Sequence, residues 1–174
     1  MKKIFITFFC SFLFIRSGFT GDYSIEHIGD VLQLMIPSYA LGLTMKEKDY
    51  TGTKQLLTSY GATLLSEYLL KKAVHEERPN KANFDSFPSG HTASAFSGAT
   101  FIHKRYGIKS AIIPYILASF VGYSRIYSKW HHPHDVLAGA VIAGAYTWIF
   151  TDRENPVTIS ADTTGARIDF KTSF

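Results

Sequence analysis

A chain of 174 residues fits one domain with its own core and is too short for two comfortable ones. It is 46% hydrophobic and 15% aromatic, and its 18% of charged residues falls below the roughly 25% typical of soluble domains. The formal charge of +4 is scattered in ones and twos, which excludes a nucleic-acid-binding stripe and suits an anionic substrate or membrane surface; a single cysteine, Cys10, excludes an intramolecular disulfide and any multi-cysteine metal cluster. A mean hydropathy of +0.03 leaves membrane-embedded and soluble forms both open.

Residues 1–20, "MKKIFITFFCSFLFIRSGFT", join a basic start to an apolar run from Ile4 to Ile15, the profile of a signal peptide or of a short first membrane helix. The stretch "RSGFTGDYSIEHIGD" reads as a polar link. Apolar segments follow at Val31–Met45, Gln55–Leu70, Thr92–His103, Ala111–Tyr123 and Val136–Phe150. Each is shorter than the ~20 residues of a full span until its flanks are added. Leu64, Leu65, Tyr68, Leu69 and Lys72 recur at helical spacing, and the small residues of "SGHTASAFSGATF" and "DVLAGAVIAGAYTWIF" suit closely packed helices. Pro37 and Pro114 fall within or near the start of apolar runs, whereas Pro88 stands just ahead of a helix start at Ser89–Gly90.

These patterns predict an all-α fold: a compact, membrane-embedded bundle of about five to six helices over residues 21–150, with a short non-helical tail over 151–174. In the tail, "DTTG" marks a turn, and the partial alternation from Ala166 to Phe174 fits a short hairpin or an extension. If each apolar segment crosses once, "MKK", "MKEKD", "HKRYGIK" and "TDRENP" share one side, cytoplasmic by the positive-inside tendency. "KKAVHEERP", "FPSGH" and "SRIYSKWHHPHD" then meet on the other, where Lys71, Lys72, Arg78, Lys81, Arg125 and Lys129 call for an anionic substrate.

Within these three segments, Lys71 and Arg78 lie seven apart, on one face if the helix persists. Read alone, this is a solvated helix end. Pro88, Ser89, Gly90 and His91 open a helix whose N-terminus presents free N–H groups to an anion; the plain alternative is a Ser N-cap beside an incidental histidine. In the third segment, three histidines and Asp135 within five residues look like a metal site.

Taken in order, Lys71, Arg78–Pro79, Pro88–Ser89–Gly90–His91, Ser124–Arg125, His131 and Asp135 reproduce the pattern K-x6-R-P, P-S-G-H, S-R-x5-H-x3-D. The chain thereby resembles the type 2 phosphatidic acid phosphatase family, which also includes bacterial acid phosphatases and vanadium haloperoxidases. The resemblance runs from Lys71 to about Ile149.

It implies a metal-independent phosphatase, with no cofactor and no residue given to a metal. The substrate would be a lipid phosphate or diphosphate, such as phosphatidic acid, phosphatidylglycerol phosphate, undecaprenyl diphosphate or lipid A. Lys71, Arg78, Ser89, Gly90 and Arg125 would bind phosphate. His131 would be the nucleophile forming a phosphohistidine, Asp135 would orient it by a hydrogen bond, and His91 would be the general acid and then base. His132 and His134 match no family position. Glu76 and Glu77 read as solvated or charge-balancing, and Tyr123, Tyr127 and Trp130 as packing residues or a lipid-facing rim.

The implied partners are a lipid phosphate substrate and the membrane, with no nucleic acid. The implied location is a bacterial inner membrane with the site facing the periplasm. Alternatives are a soluble periplasmic acid phosphatase released by signal cleavage, a vanadate haloperoxidase sharing the anion cradle, and a histidine-rich metal-binding membrane protein.

Overall fold

The computed structural model describes residues 21–153, together with 157–162 and 165–170. Residues 1–20, read as a leader or first span, lie outside these. The order is α1 (Gly21–Lys46), α2 (Tyr50–Val74), α3 (Gly90–Tyr106), α4 (Ile108–Tyr127), α5 (Pro133–Phe150), β1 (Val157–Asp162) and β2 (Gly165–Phe170). The expected all-α fold is present, each apolar segment having grown into its flanks. The tail strands pair antiparallel, from Val157 opposite Phe170 to Asp162 opposite Gly165.

Two expectations are corrected. The supposed polar link is helical from Gly21 onward, so its carboxylates sit on α1. The helix carrying Lys71 does not reach Arg78: α2 ends at Val74, and His75 takes a left-handed conformation (φ 52°) with its N–H donating to the Lys71 carbonyl. Arg78 therefore reaches the site from a loop.

Helix α3 packs against all four other helices and forms the axis of the bundle. The reason lies in its composition, since Ala93, Ser94, Ala95, Ser97, Ala99 and Thr100 are buried and let neighbouring backbones approach. Gly139 of α5 marks a close backbone approach at the site end: a Cβ there would lie 2.5 Å from the Ser89 carbonyl oxygen. Ile36, Ala95, Ala99, Ala118 and Val121 form one core cluster, and Ala40, Leu56, Phe101, Ile102 and Ala111 another.

Many large apolar side chains face outward instead, among them Ile113 at 68%, Leu137 at 66% and Ile149 at 69% exposure. Small residues inside and large ones outside invert the pattern of a water-soluble bundle. Among the described helices, Ser24–Lys46 is long and apolar enough to cross a membrane.

The connections sort to opposite ends. At one, Asp49 caps α2 through Gly52 N–H and holds Arg105 from the end of α3 at 2.6 and 2.7 Å. Arg105 also donates to the Asp152 carbonyl, which ties down the exit from α5. At the other end the α2–α3 and α4–α5 loops meet, with Asn80 N–H donating to the Lys129 carbonyl (3.1 Å) and Ser89 N–H to the Asp135 carbonyl (3.0 Å).

Candidate active site

Where those loops meet, residues far apart in sequence converge. Lys71, in the last turn of α2, donates to the carbonyls of Pro88 (2.5 Å) and Asp85 (3.2 Å) and pairs with Glu67 one turn earlier (2.9 Å). Its ammonium thus ties the helix to the loop that opens α3. Arg78 is fixed by Asn83, whose side-chain oxygen accepts from Nε at 2.7 Å, and by the Trp130 ring, 5.1 Å from the guanidinium. Trp130 in turn donates its indole N–H to Glu26 of α1 (2.7 Å). Trp130 is therefore a packing residue, as the sequence suggested.

Ser89 is fully buried as the N-cap of α3, its hydroxyl oxygen accepting from Thr92 N–H at 3.4 Å. Of its two readings, the cap is the one the geometry displays. Gly90 begins the helix, leaving the first N–H groups of α3 without intrahelical partners and directed outward from its N-terminus.

His131 is 3% exposed and Asp135 fully buried, one helical turn into α5. Nδ1 of His131 lies 3.4 Å from Asp135 Oδ2 without a hydrogen bond, because that oxygen already accepts from Ser86 Oγ (2.6 Å) and His132 N–H (2.8 Å). The expected hydrogen bond is thus a near contact here, with Asp135 doubling as the capping carboxylate of α5. Burial, then the fields of Lys71 and Arg78, hold the His131 imidazole well below its usual pKa; Asp135 opposes them and does not prevail. An imidazole so held favours its neutral form, with Nδ1 toward Asp135.

His91, in the first turn of α3, and the buried Arg125, at the end of α4, share one partner that sequence reasoning missed. Asp30 Oδ1 of α1 accepts from Arg125 Nη1 at 2.8 Å and from His91 Nε2 at 3.1 Å. Arg125 also donates to the Glu26 carbonyl (2.7 Å) and to Ser124 Oγ (3.1 Å). Glu26, Asp30 and Glu67 lie outside the sequence pattern. Only Glu67 carried a signal, its spacing of four from Lys71.

His132 and His134 stack on each other, 5.2 Å between ring centroids, outside the His131–Asp135 pair. His134 Nε2 donates to Glu76 Oε1 (2.8 Å), and Glu76, His134 and Asp135 place one ligand atom each within 4.8 Å. The sequence left this loop without a supporting carboxylate, and Glu76 supplies one. The His134–Glu76 bond ties the α4–α5 loop to the α2–α3 loop, a charge-balancing role for Glu76.

The comparisons with known proteins agree with this geometry. Residues 52–156 match the family model described as the PAP2 superfamily. A lipid A 4'-phosphatase of Helicobacter pylori is 33% identical over 78% of this chain and 74% of its own length. A lipid A 1-phosphatase of Porphyromonas gingivalis is 35% identical over 71% of this chain, which spans only 30% of that longer protein. Among solved structures, Aquifex aeolicus LpxE superposes with a TM-score of 0.61 at 26% identity, covering 74% of this chain and 83% of its own. A transmembrane PAP2-type phosphatidylglycerolphosphate phosphatase from Bacillus subtilis gives 0.56 at 27% identity, covering 74% of this chain and 72% of its own. With its three motifs assembled at one end of a five-helix bundle, the chain belongs to the PAP2 superfamily and is an enzyme of the phosphatase class.

Proposed function

We propose that this protein removes phosphate from a membrane lipid, with lipid A-type phosphates the leading candidates, through a phosphohistidine on His131. The observation that carries the reading is a buried, neutral His131 set between the cations Lys71 and Arg78 and the carboxylate of Asp135. Phosphoryl transfer asks a protein mainly for positioning and for positive charge around the equatorial oxygens. Lys71, Arg78, Arg125 and the N–H groups at Gly90 supply that charge, and Ser89 shapes the cradle as the cap of α3.

His131 Nε2 forms a bond to phosphorus as the bond to the leaving oxygen breaks, and His91 gives that oxygen its proton. As His131 becomes cationic, the 3.4 Å gap to Asp135 closes to a hydrogen bond, since catalytic contacts tighten once the substrate is bound. In the second step His91 takes a proton from water, water oxygen bonds to phosphorus, and the P–N bond breaks. Every role falls to side chains and to the N–H groups at Gly90, and none requires a metal.

A lipid substrate is supported by the apolar outer surface of the bundle, which suits a membrane and a scissile phosphate at its interface. In this reading the membrane is a bacterial inner membrane with the site facing the periplasm, the opposite end carrying the connections "MKEKD", "HKRYGIK" and "TDRENP". Residues 21–150 form the catalytic domain in this reading, and 1–20 a leader or an additional span. The test is phosphate release from lipid A, phosphatidic acid and a soluble phosphate ester, side by side in EDTA. Activity on the lipids that His131→Ala abolishes and His132→Ala leaves intact is expected. Loss on chelation, or equal loss in both variants, points to the metal-binding reading instead.

A further inference from the structure

We propose that Asp30 makes this site selective for phosphate monoesters over diphosphates, by holding a fixed negative charge beside His91 on the leaving-group side. The inference rests on the phosphatase reading and sharpens its substrate class.

Asp30 is not part of the sequence pattern, yet one of its oxygens touches two of the pattern's groups, Arg125 at 2.8 Å and His91 at 3.1 Å. Its place is set by backbone. The preceding Gly29 lets α1 press onto α4 so closely that a Cβ there would lie 2.7 Å from Arg125 Nη2. Arg125 is 3% exposed, whereas the Asp30 side chain remains 37% exposed. The carboxylate therefore has a fixed position and access to whatever departs from phosphorus past His91.

The two substrate classes differ in what departs. In a monoester, the P–O bond breaks toward a sugar or glycerol oxygen, which must receive the His91 proton to leave as a neutral hydroxyl. In a diphosphate, the bridging P–O bond breaks and its electron pair stays on a phosphate that is stable as an anion and needs no proton. A carboxylate 3.1 Å from Nε2 favours the protonated imidazole, against the burial of the ring and the charges of Arg125 and Arg78 that also face it. The same carboxylate repels an anionic leaving group. Both effects favour the monoester.

Phosphatidic acid and diacylglycerol diphosphate share a tail and differ only in the phosphate, so they isolate the effect. With the full-length protein in detergent and EDTA, the wild type is expected to show kcat/KM at least about tenfold higher on phosphatidic acid. Asp30→Asn should lower the monoester-to-diphosphate ratio of kcat/KM by roughly tenfold or more, beyond any loss common to both substrates through Arg125. Its alkaline limb on the monoester should also move to lower pH. An unchanged Tm in detergent shows that the variant is folded. A parallel fall on both substrates, an unchanged ratio, or a wild type without monoester preference overturns the inference alone. A wild type inactive on every phosphate overturns the phosphatase reading and takes the inference with it.

Discussion

Arg125 shows how completely a single side chain can be specified at this site. Its guanidinium is buried, and three of its five N–H groups are directed to Asp30, the Glu26 carbonyl and Ser124. One N–H on each terminal nitrogen is left for an anion, a forked geometry that lysine cannot copy. Arg125→Lys should therefore cost on the order of 2 to 4 kcal/mol of transition-state stabilisation, roughly 30- to 1000-fold in kcat/KM. Near-wild-type turnover would remove Arg125 from the phosphate clamp. The motif made Arg125 legible in the sequence, but Asp30 was not, because an aspartate in a polar stretch carries no mark of the histidine and arginine it will meet. The same holds for Asn83 and Trp130 at Arg78, whose contacts exist only once two loops have crossed.

Among the elements, the end of the bundle away from the site depends on one ion pair. Asp49 and Arg105 have side chains 5% and 8% exposed, and the carboxylate also accepts from Gly52 N–H and Tyr106. Burial alone would raise the Asp49 pKa, but the bonds from Arg105, Gly52 and Tyr106 outweigh it, and the net shift is downward. A carboxylate whose pKa is lower folded than unfolded contributes stability that is present above about pH 4 and lost as pH falls through the folded value. Thermal unfolding in detergent should accordingly show a falling Tm below about pH 4, a slope that Asp49→Asn flattens. Arg105→Met, which leaves the carboxylate buried and unpaired, should cost about 3–5 kcal/mol. An unchanged Tm in Arg105→Met would show that the pair does not join α2 to α3. The helices themselves were legible from apolar runs and small-residue stripes. Their ends were less so: the run through Lys71 carries no stop signal such as glycine, and His75 ends α2 in a conformation unusual for its residue type.

Across the whole molecule, the catalytic loops cluster at one end of a bundle whose large apolar side chains point outward and whose interior is built from alanine, serine and threonine. Such a surface is suited to lipid, and under the proposed function a site at the end of the bundle would meet a phosphate where the headgroup layer begins. The sequence conveyed this through charge sorting and the composition of α3 and α5. It could not show that the stretch from Gly21 is already helical and lends Glu26 and Asp30 to the site. Nor could it show that Glu76 would tie His134, whose Nε2 also lies 3.2 Å from Asp135 Oδ1, while His131 faces Oδ2 of the same carboxylate. The account turns on that division of labour among neighbouring histidines. Its most direct test is to quench the full-length protein in alkali during turnover of labelled lipid phosphate, then measure label bound to protein. An acid-labile, base-stable phosphoprotein in the wild type that is absent from His131→Ala and present in His132→Ala and His134→Ala is predicted. Label that persists in His131→Ala would contradict the assignment.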